Sequence, residues 1–207
     1  MRRTCAADDE ERGQHDTMMR KILSAILCVS VLASGTISAA AEEGDAEAQD
    51  RMGVMCANGR GVAKDPRKAV EWYRKAAEQG HAWGQDNLGA MYYDGSGVKK
   101  DYKEAVKWYR KAAEQGLASA QNHMGVVYSW GRGVPANGKE AVKWYQKAMD
   151  QGDVWALWNL GLMYENGYGV PPNRVKAIEW YRKAADQDRN EEVKERAQKK
   201  LKEMGAK

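Results

Sequence analysis

Glycine stands at positions 44, 80, 116 and 152, each 36 residues after the last. Aligned on these glycines, residues 44–79, 80–115, 116–151 and 152–187 superpose without a gap. The shared columns include Met52/Leu88/Met124/Leu160, Gly53/Gly89/Gly125/Gly161, Cys56/Tyr92/Tyr128/Tyr164 and Gly59/Gly95/Gly131/Gly167. They continue through Val62/Val98/Val134/Val170, Ala69/Ala105/Ala141/Ala177, Trp72/Trp108/Trp144/Trp180 and Tyr73/Tyr109/Tyr145/Tyr181. A period between about 20 and 50 residues marks a repeat architecture, in which one unit cannot bury its apolar face alone.

Each copy reads as two helices. In the second copy Leu88, Gly89 and Tyr92 share one face of a first helix, which the G-x-G-V stretch then breaks. Gly95 suits the left-handed position just past a helix end. Asp65, Asp101, Asn137 and Asn173 stand where a second helix needs an N-cap, with Pro66 in the favoured first turn. Ala105, Trp108, Tyr109 and Ala112 then form an apolar stripe at i, i+3, i+4 and i+7. The expected fold is therefore all-α, a solenoid of four 36-residue helix-turn-helix repeats. Residues 188–207, where Val193, Ala197 and Leu201 lie among Lys and Glu, are expected to form a polar capping helix and tail. Ala141 and Gly125 lie in shared columns and are expected to reject larger side chains. Gly138 lies outside them and is expected to accept Ala.

The pattern LG-x-x-Y, G-x-GV and A-x-x-WY-x-KAA-x-QG, repeated over residues 44–187, resembles the Sel-one-like repeat, a relative of the tetratricopeptide repeat. The resemblance implies a right-handed α-solenoid that acts as an adaptor or scaffold and binds a protein or peptide partner. It also implies that first helices line a concave surface, and that a bacterial member is often exported. Departures are few: Cys56 replaces an aromatic, Val154 and Leu157 alter the fourth copy, and Met149 replaces Ala. Some secreted members carry a disulfide in each repeat, and this chain lacks those cysteines.

The N-terminal region has another character. Met18-Met19-Arg20-Lys21 is a short positive stretch, Ile22–Leu32 an apolar run, and Ser38-Ala39-Ala40-Ala41 a small-residue site. That is the layout of a secretory signal peptide over residues 18–41. Residues 1–17 read as an extension ahead of the true start at Met18 or Met19. The first forty residues are thus expected to lie outside the fold, and the mature chain to start at Ala41 or Glu42. It would be periplasmic or secreted, without a transmembrane span, and with Cys56 as its one remaining thiol.

Candidate binding residues come from what the repeat leaves unexplained. At about 100° per residue, positions 3, 6, 10, 13 and 14 after each opening glycine lie opposite the core face of the first helix. Four of the eight tryptophans form the shared column, and the other four, Trp83, Trp130, Trp155 and Trp158, all fall on this stripe. Exposed aromatics favour binding hot spots because they bury much area with few rotors to freeze. The expected partner-binding groove comprises Trp83, Asp86, Tyr93, Asp94, Asn122, Trp130, Trp155, Trp158, Glu165 and Asn166. It suits a protein or peptide with apolar anchors and some basic residues. Trp155 and Trp158 are the best pair, which places the anchor near the C-terminal half.

Other functional classes find little support. A net charge of +4, from 33 basic and 29 acidic residues, gives no footprint for nucleic acid. The second helices carry many Lys and Arg, read as a solvated convex face, with anionic lipid or cell-wall polymer as the alternative ligand. His81 and His123 lie 42 residues apart in different columns, which leaves no metal-ligand spacing. The G-x-G-V turns lack the preceding strand and Gly-Lys-Ser/Thr ending of a phosphate loop. No catalytic residue, metal site or cofactor is expected. The competing class is a cell-envelope enzyme or regulatory subunit acting on or near cell-wall material.

Overall fold

The computed structural model describes residues 35–206; the expected extension over 1–17 and residues 18–34 of the expected leader lie outside the described residues. Every element among the described residues is a helix. Residues 35–42 form α1. The four repeats then give α2 (Ala46–Asn58) and α3 (Pro66–Glu78), α4 (Ala82–Asp94) and α5 (Tyr102–Glu114), α6 (Ala118–Trp130) and α7 (Gly138–Asp150), and α8 (Val154–Asn166) and α9 (Arg174–Ala185). A last helix, α10 (Glu191–Glu203), follows.

Local chemistry sets these boundaries. Asp65, Asp101, Asn137 and Asn173 each take a backbone N–H of the following helix onto a side-chain oxygen, as their positions predict. Such a cap stabilises a helix by about 1 kcal/mol, because it satisfies a donor with no partner inside the helix. The first helices end on Gly59, Gly95, Gly131 and Gly167, all with φ between 65° and 76°. A side chain there would strain the left-handed backbone.

Within each repeat the two helices meet through one contact. The Tyr of the second helix lays its ring on the bare backbone of the glycine in the first: Tyr73 on Gly53, Tyr109 on Gly89, Tyr145 on Gly125 and Tyr181 on Gly161. A Cβ at Gly53, Gly89 or Gly125 would stand 2.5 to 2.7 Å from the ring. The neighbouring column is just as tight: Ala69, Ala105, Ala141 and Ala177 are completely buried. The tryptophans of the second helices face outward by comparison. A lysine three residues on covers each indole, Lys75, Lys111, Lys147 and Lys183 lying 4.1 to 4.3 Å from the ring centroids. Part of the convex positive charge is thereby used within the fold, as a cation over an aromatic face.

Successive repeats are tied by buried amides. Gln85 Nε2 donates to Ala77 O and Gln121 Nε2 to Ala113 O, across the junctions between repeats. The Oε1 atoms of both accept from the glutamine ending their own repeat, Gln115 and Gln151. In the fourth repeat Leu157 stands in the glutamine column and Met149 in that of the accepting alanine, so this tie is absent. The second glycine of each turn adds another junction contact: Gly97 abuts Pro66 O and Gly133 abuts Tyr102 O, too closely for a side chain.

The two ends repeat the same geometry. Asn190 caps α10, and Val193 and Ala197, both completely buried, take the columns of Ala156 and Leu160. The helix is thus a fifth first helix, shifted by one residue. Gln198 occupies its glycine column and leaves no bare backbone for a further tyrosine. At the other end the expectation that the first forty residues lie outside the fold is corrected. Residues 35–42 are helical and Ala41 is 1% exposed. The signal was present in the sequence: Ala40-Ala41-Glu42-Glu43-Gly44 aligns with Ala76-Ala77-Glu78-Gln79-Gly80, the end of a second helix.

Gly138 also departs from expectation. Its N–H donates to Gly169 O at 3.0 Å, and a Cβ would collide with Gly169 O and Val170 Cγ1. It holds the third repeat against the fourth, a contact no column comparison reveals. Gly125→Val and Gly138→Ala are therefore both expected to lose about 1–3 kcal/mol or more in denaturant unfolding, the usual range for overpacking. Exposed Lys139→Ala is expected to stay within about 0.5 kcal/mol of the parent. A Gly138→Ala chain as stable as the parent would remove this junction contact from the account.

Candidate functional site

Consecutive first helices lie side by side: α2 packs on α4, α6 on α8 and α8 on α10, while no pair of second helices packs as closely. A polar ladder runs along this contact. Asn87 Nδ2 donates to Asp50 Oδ1 at 2.9 Å, His123 Nδ1 pairs with Asp86 Oδ1 at 2.8 Å, and Asn159 Nδ2 donates to Asn122 Oδ1 at 2.9 Å. Ser119 Oγ adds a second bond to Asp86, on Oδ2 at 2.7 Å.

This ladder corrects two of the expected groove residues. Asp86 is 4% and Asn122 7% exposed, so neither faces an open surface. The side chain one position further along the next first helix reaches back over each and closes it off. Glu165, expected at the groove edge, accepts from Tyr181 Oη at 2.6 Å and pairs with Lys200 of α10 at 3.0 Å. Asn166 is exposed and bonds back to Leu162 O of its own helix. Asp94 is exposed and makes no hydrogen bond or ion pair among the described residues.

The aromatics divide in the same way. Trp83 is 53% and Trp130 45% exposed, whereas Trp108 of the structural column is 8% exposed. Trp155 and Trp158 are half-buried instead: they pack against the cluster of Val154, Ala184, Val193 and Ala197. Arg196 lies over Trp155 and the Tyr181 ring stands 5.1 Å from Trp158. Both lie against α10, which adds a fifth first helix to the face. The free aromatic surface therefore sits on the second and third repeats, away from the C-terminal pair favoured by sequence. There Ala90, Tyr93, Asp94, Tyr109, His123 and Val126 line a pocket of about 180 Å³. Arg132 braces its rim by donating to Tyr93 Oη at 2.6 Å and lying 4.8 Å over Trp130, whose ring is tilted against Tyr168. Arg132 and Tyr168 belong to the turns, outside the helical stripe searched in the sequence.

His123 is the imidazole of this pocket wall, and its proton affinity is raised. Burial against Tyr109 lowers its pKa, but the bond and charge of Asp86, aided by Asp153 and Asp94, outweigh this and hold it above the ordinary 6.5. Ser119 and His123 both bond to Asp86 and not to each other, so no hydroxyl is set against an imidazole base. Among the described residues no group of three His, Cys, Asp or Glu could hold a metal, and no helix is long and apolar enough to cross a membrane.

A histidine held more basic in the folded state adds stability in full below its ordinary pKa, and this is lost as pH rises through the raised value. His123→Asn keeps the ladder bond in the form that Asn87 and Asn159 use, without a titration. The parent's Tm is expected to fall more than the variant's as pH rises from about 6.5 through the raised value. Asp50, whose carboxyl burial pushes up, is common to both chains and cancels in the difference, while Asp153, raised by burial and lowered by the charge of His123, belongs to the coupled group that the variant changes. Parallel Tm profiles would show that the Asp86 pairing does not favour the imidazolium.

Comparison with known proteins bears on the whole face. Residues 46–81, 84–117, 118–153 and 156–188 match the Sel1 repeat. A protective antigen of uropathogenic Escherichia coli strains, displaying an SLR fold, is 47% identical over 72% of this chain and 32% of its own, with a TM-score of 0.64. A Sel1 repeat protein of Oxalobacter formigenes is 43% identical over 69% of this chain and 57% of its own, with a TM-score of 0.61. A putative Sel1 repeat protein of Klebsiella pneumoniae, 22% identical over 80% of this chain and 84% of its own, shares the fold at a TM-score of 0.56. The chain thus spans about a third and 57% of the first two relatives. No curated protein sequence matches it. Four matched repeats, built on one glycine–tyrosine contact each and closed by a fifth first helix, make the chain a member of the Sel1 repeat family, whose helical repeats generally serve as protein-interaction scaffolds.

Proposed function

We propose that the chain is an exported protein-interaction module that holds a peptide or protein partner on the face of its first helices, centred on the second and third repeats. The observation that carries this reading is the pair of exposed tryptophans, Trp83 and Trp130, on the face that also holds the Tyr93–His123 pocket. Large aromatics left in water on a rigid surface are the usual anchors of an interface. A pocket of about 180 Å³ with apolar walls takes an apolar side chain of the partner. Asp94, without an ion-pair partner at the pocket's edge, favours a Lys or Arg beside that anchor. With Asp86 buried and Glu165 matched by Lys200, the acidic part of the expected groove narrows to this one carboxylate. Export rests on the signal-peptide layout of residues 18–41, and the E. coli relative's description as a protective antigen agrees with an exposed location.

The test is capture of partners from the cell envelope, followed by titration of the captured protein. Trp83→Ala and Trp130→Ala are expected to leave Tm within a few degrees of the parent, since neither indole is buried. A true anchor among them is expected to weaken binding by about 2 kcal/mol or more. Lys103→Glu with Lys139→Glu, on the second helices, is expected to leave binding unchanged. Loss of binding in the lysine variant alone would move the interaction to the basic convex face and overturn the assignment.

A further inference from the structure

The first repeat treats α1 as the second helix of a preceding repeat. Ala41 O accepts Gln49 Nε2 at 3.1 Å, as Ala77 O accepts Gln85 and Ala113 O accepts Gln121. Asp45 N–H donates to Ala40 O at 3.0 Å, as His81 donates to Ala76 O and Leu117 to Ala112 O. Ala41 is as buried as its counterparts Ala77 and Ala113. Ile37, in the tyrosine column, packs with Ala40, Met55 and Trp72 around the buried cluster of Ala41, Ala48 and Met52. Met52 and Trp72 also border a hollow of about 360 Å³ that has Cys56 in its wall.

The same alanines form the small-residue motif expected to be cut on export. Hydrolysis of the Ala40–Ala41 or Ala41–Glu42 bond by an endopeptidase of the export machinery consumes one water. It leaves a carboxylate on the departing segment and an amine on the solenoid. Ile37 and Ala40 depart with that segment, and cutting after Ala41 takes the carbonyl that accepts Gln49. Gln49 is 5% exposed, and its Nε2 has no other acceptor among the described residues. Once that carbonyl leaves, Gln49 Nε2 meets water in its place, and a replacement helix end can take the bond back.

We propose that Gln49, Met52, Met55 and Trp72 form a docking seat for the last turns of a helix with an apolar-x-x-Ala-Ala pattern. Residues 35–42 fill it in cis, and cutting within the Ser38–Ala41 motif opens it to such a helix of a partner protein. The occupant's chemistry is read from the one already seated. Two adjacent small residues allow the close approach, an apolar side chain three residues earlier packs on the cluster of Ala48 and Met52 that Trp72 also covers, and a free carbonyl near the helix end receives the amide. The opening step rests on the export reading given above; the seat does not.

Cys56 reports on the seat, because burial holds its thiol above the ordinary range and keeps it slow to react. The experiment uses the full chain with Cys5→Ser and Cys28→Ser, leaving Cys56 as the one thiol. Ile37→Asp is expected to speed labelling of Cys56 about tenfold through local opening, while Ala39→Asp on the exposed side leaves it unchanged. A synthetic peptide of residues 66–80, which carries Ala76-Ala77, is expected to slow labelling of the Ile37→Asp chain toward the parent rate. The same peptide with both alanines changed to Glu is expected to have no effect. If Ile37→Asp loses its helical circular dichroism, Ile37→Ala serves as the milder variant. Equal labelling of the residue 37 and 39 variants would overturn the seat. Protection that grows with protein concentration in place of peptide would make a second copy the occupant and overturn the partner assignment. N-terminal sequencing of protein from the producing cell judges the opening separately: a start at Ala41 or Glu42 supports it, and an intact motif overturns it together with export.

Discussion

A tyrosine ring resting on glycine backbone is the contact that the other contacts of this fold are arranged around. It brings the two helices of a repeat closer than ordinary side chains would, with Tyr73, Tyr109, Tyr145 and Tyr181 each replacing the bulk missing at Gly53, Gly89, Gly125 and Gly161. Once this spacing is set, the adjoining column can only be alanine, and its members are completely buried. Dispersion at such close packing is small per atom pair and large in sum, and it is lost steeply when the surfaces separate. The contact belongs to one repeat, so the fold is assembled from nearly independent units whose junctions need their own ties.

Those ties decide what the surface can offer. Amides and carboxylates that a lone helix would show to solvent are used between neighbours, Asp50 with Asn87, Asp86 with His123 and Asn122 with Asn159. The face of the first helices is thus less polar and less acidic than its residues taken singly. What remains for a ligand is aromatic: two exposed indoles and the pocket walled by Tyr93 and Tyr109. In the proposed binding role, recognition falls to what self-assembly leaves over, and the exposed indoles and pocket left over lie on repeats two and three. The fourth repeat has its tryptophans lying against α10.

The repeat, its helix boundaries and the capping helix were legible because each rests on residues close in sequence: caps, turn glycines and a fixed stripe. Trp83 and Trp130 were legible for a complementary reason, since they fit no structural column. The burial of Asp86 and Asn122 was not. A helical wheel describes one helix in isolation, and their partners come from the next repeat. Gly138 was misjudged for the same reason, because its constraint is the carbonyl of Gly169. At the N-terminus two patterns share one set of letters: Ala40 and Ala41 fit both a cleavage site and the end of a second helix. The leader reading concealed the structural one.

The glutamine missing from the fourth repeat has a mechanical consequence. A hydrogen bond is directional and weakens steeply once bent, so the Gln85 and Gln121 ties resist both twist and slip between their repeats. Met149 and Leu157 bring only apolar surface to the corresponding positions, and apolar attraction is indifferent to direction. The third and fourth repeats stay joined by other contacts, among them Asn159 with Asn122, Gly138 with Gly169, Asp153 N–H with Ala148 O, Ser129 with Met163 Sδ and the Trp130 ring on Tyr168. The bending stiffness of the superhelix is consequently uneven along its length. The joint before the fourth repeat is thus the one without the directional amide tie that fixes the two junctions before it.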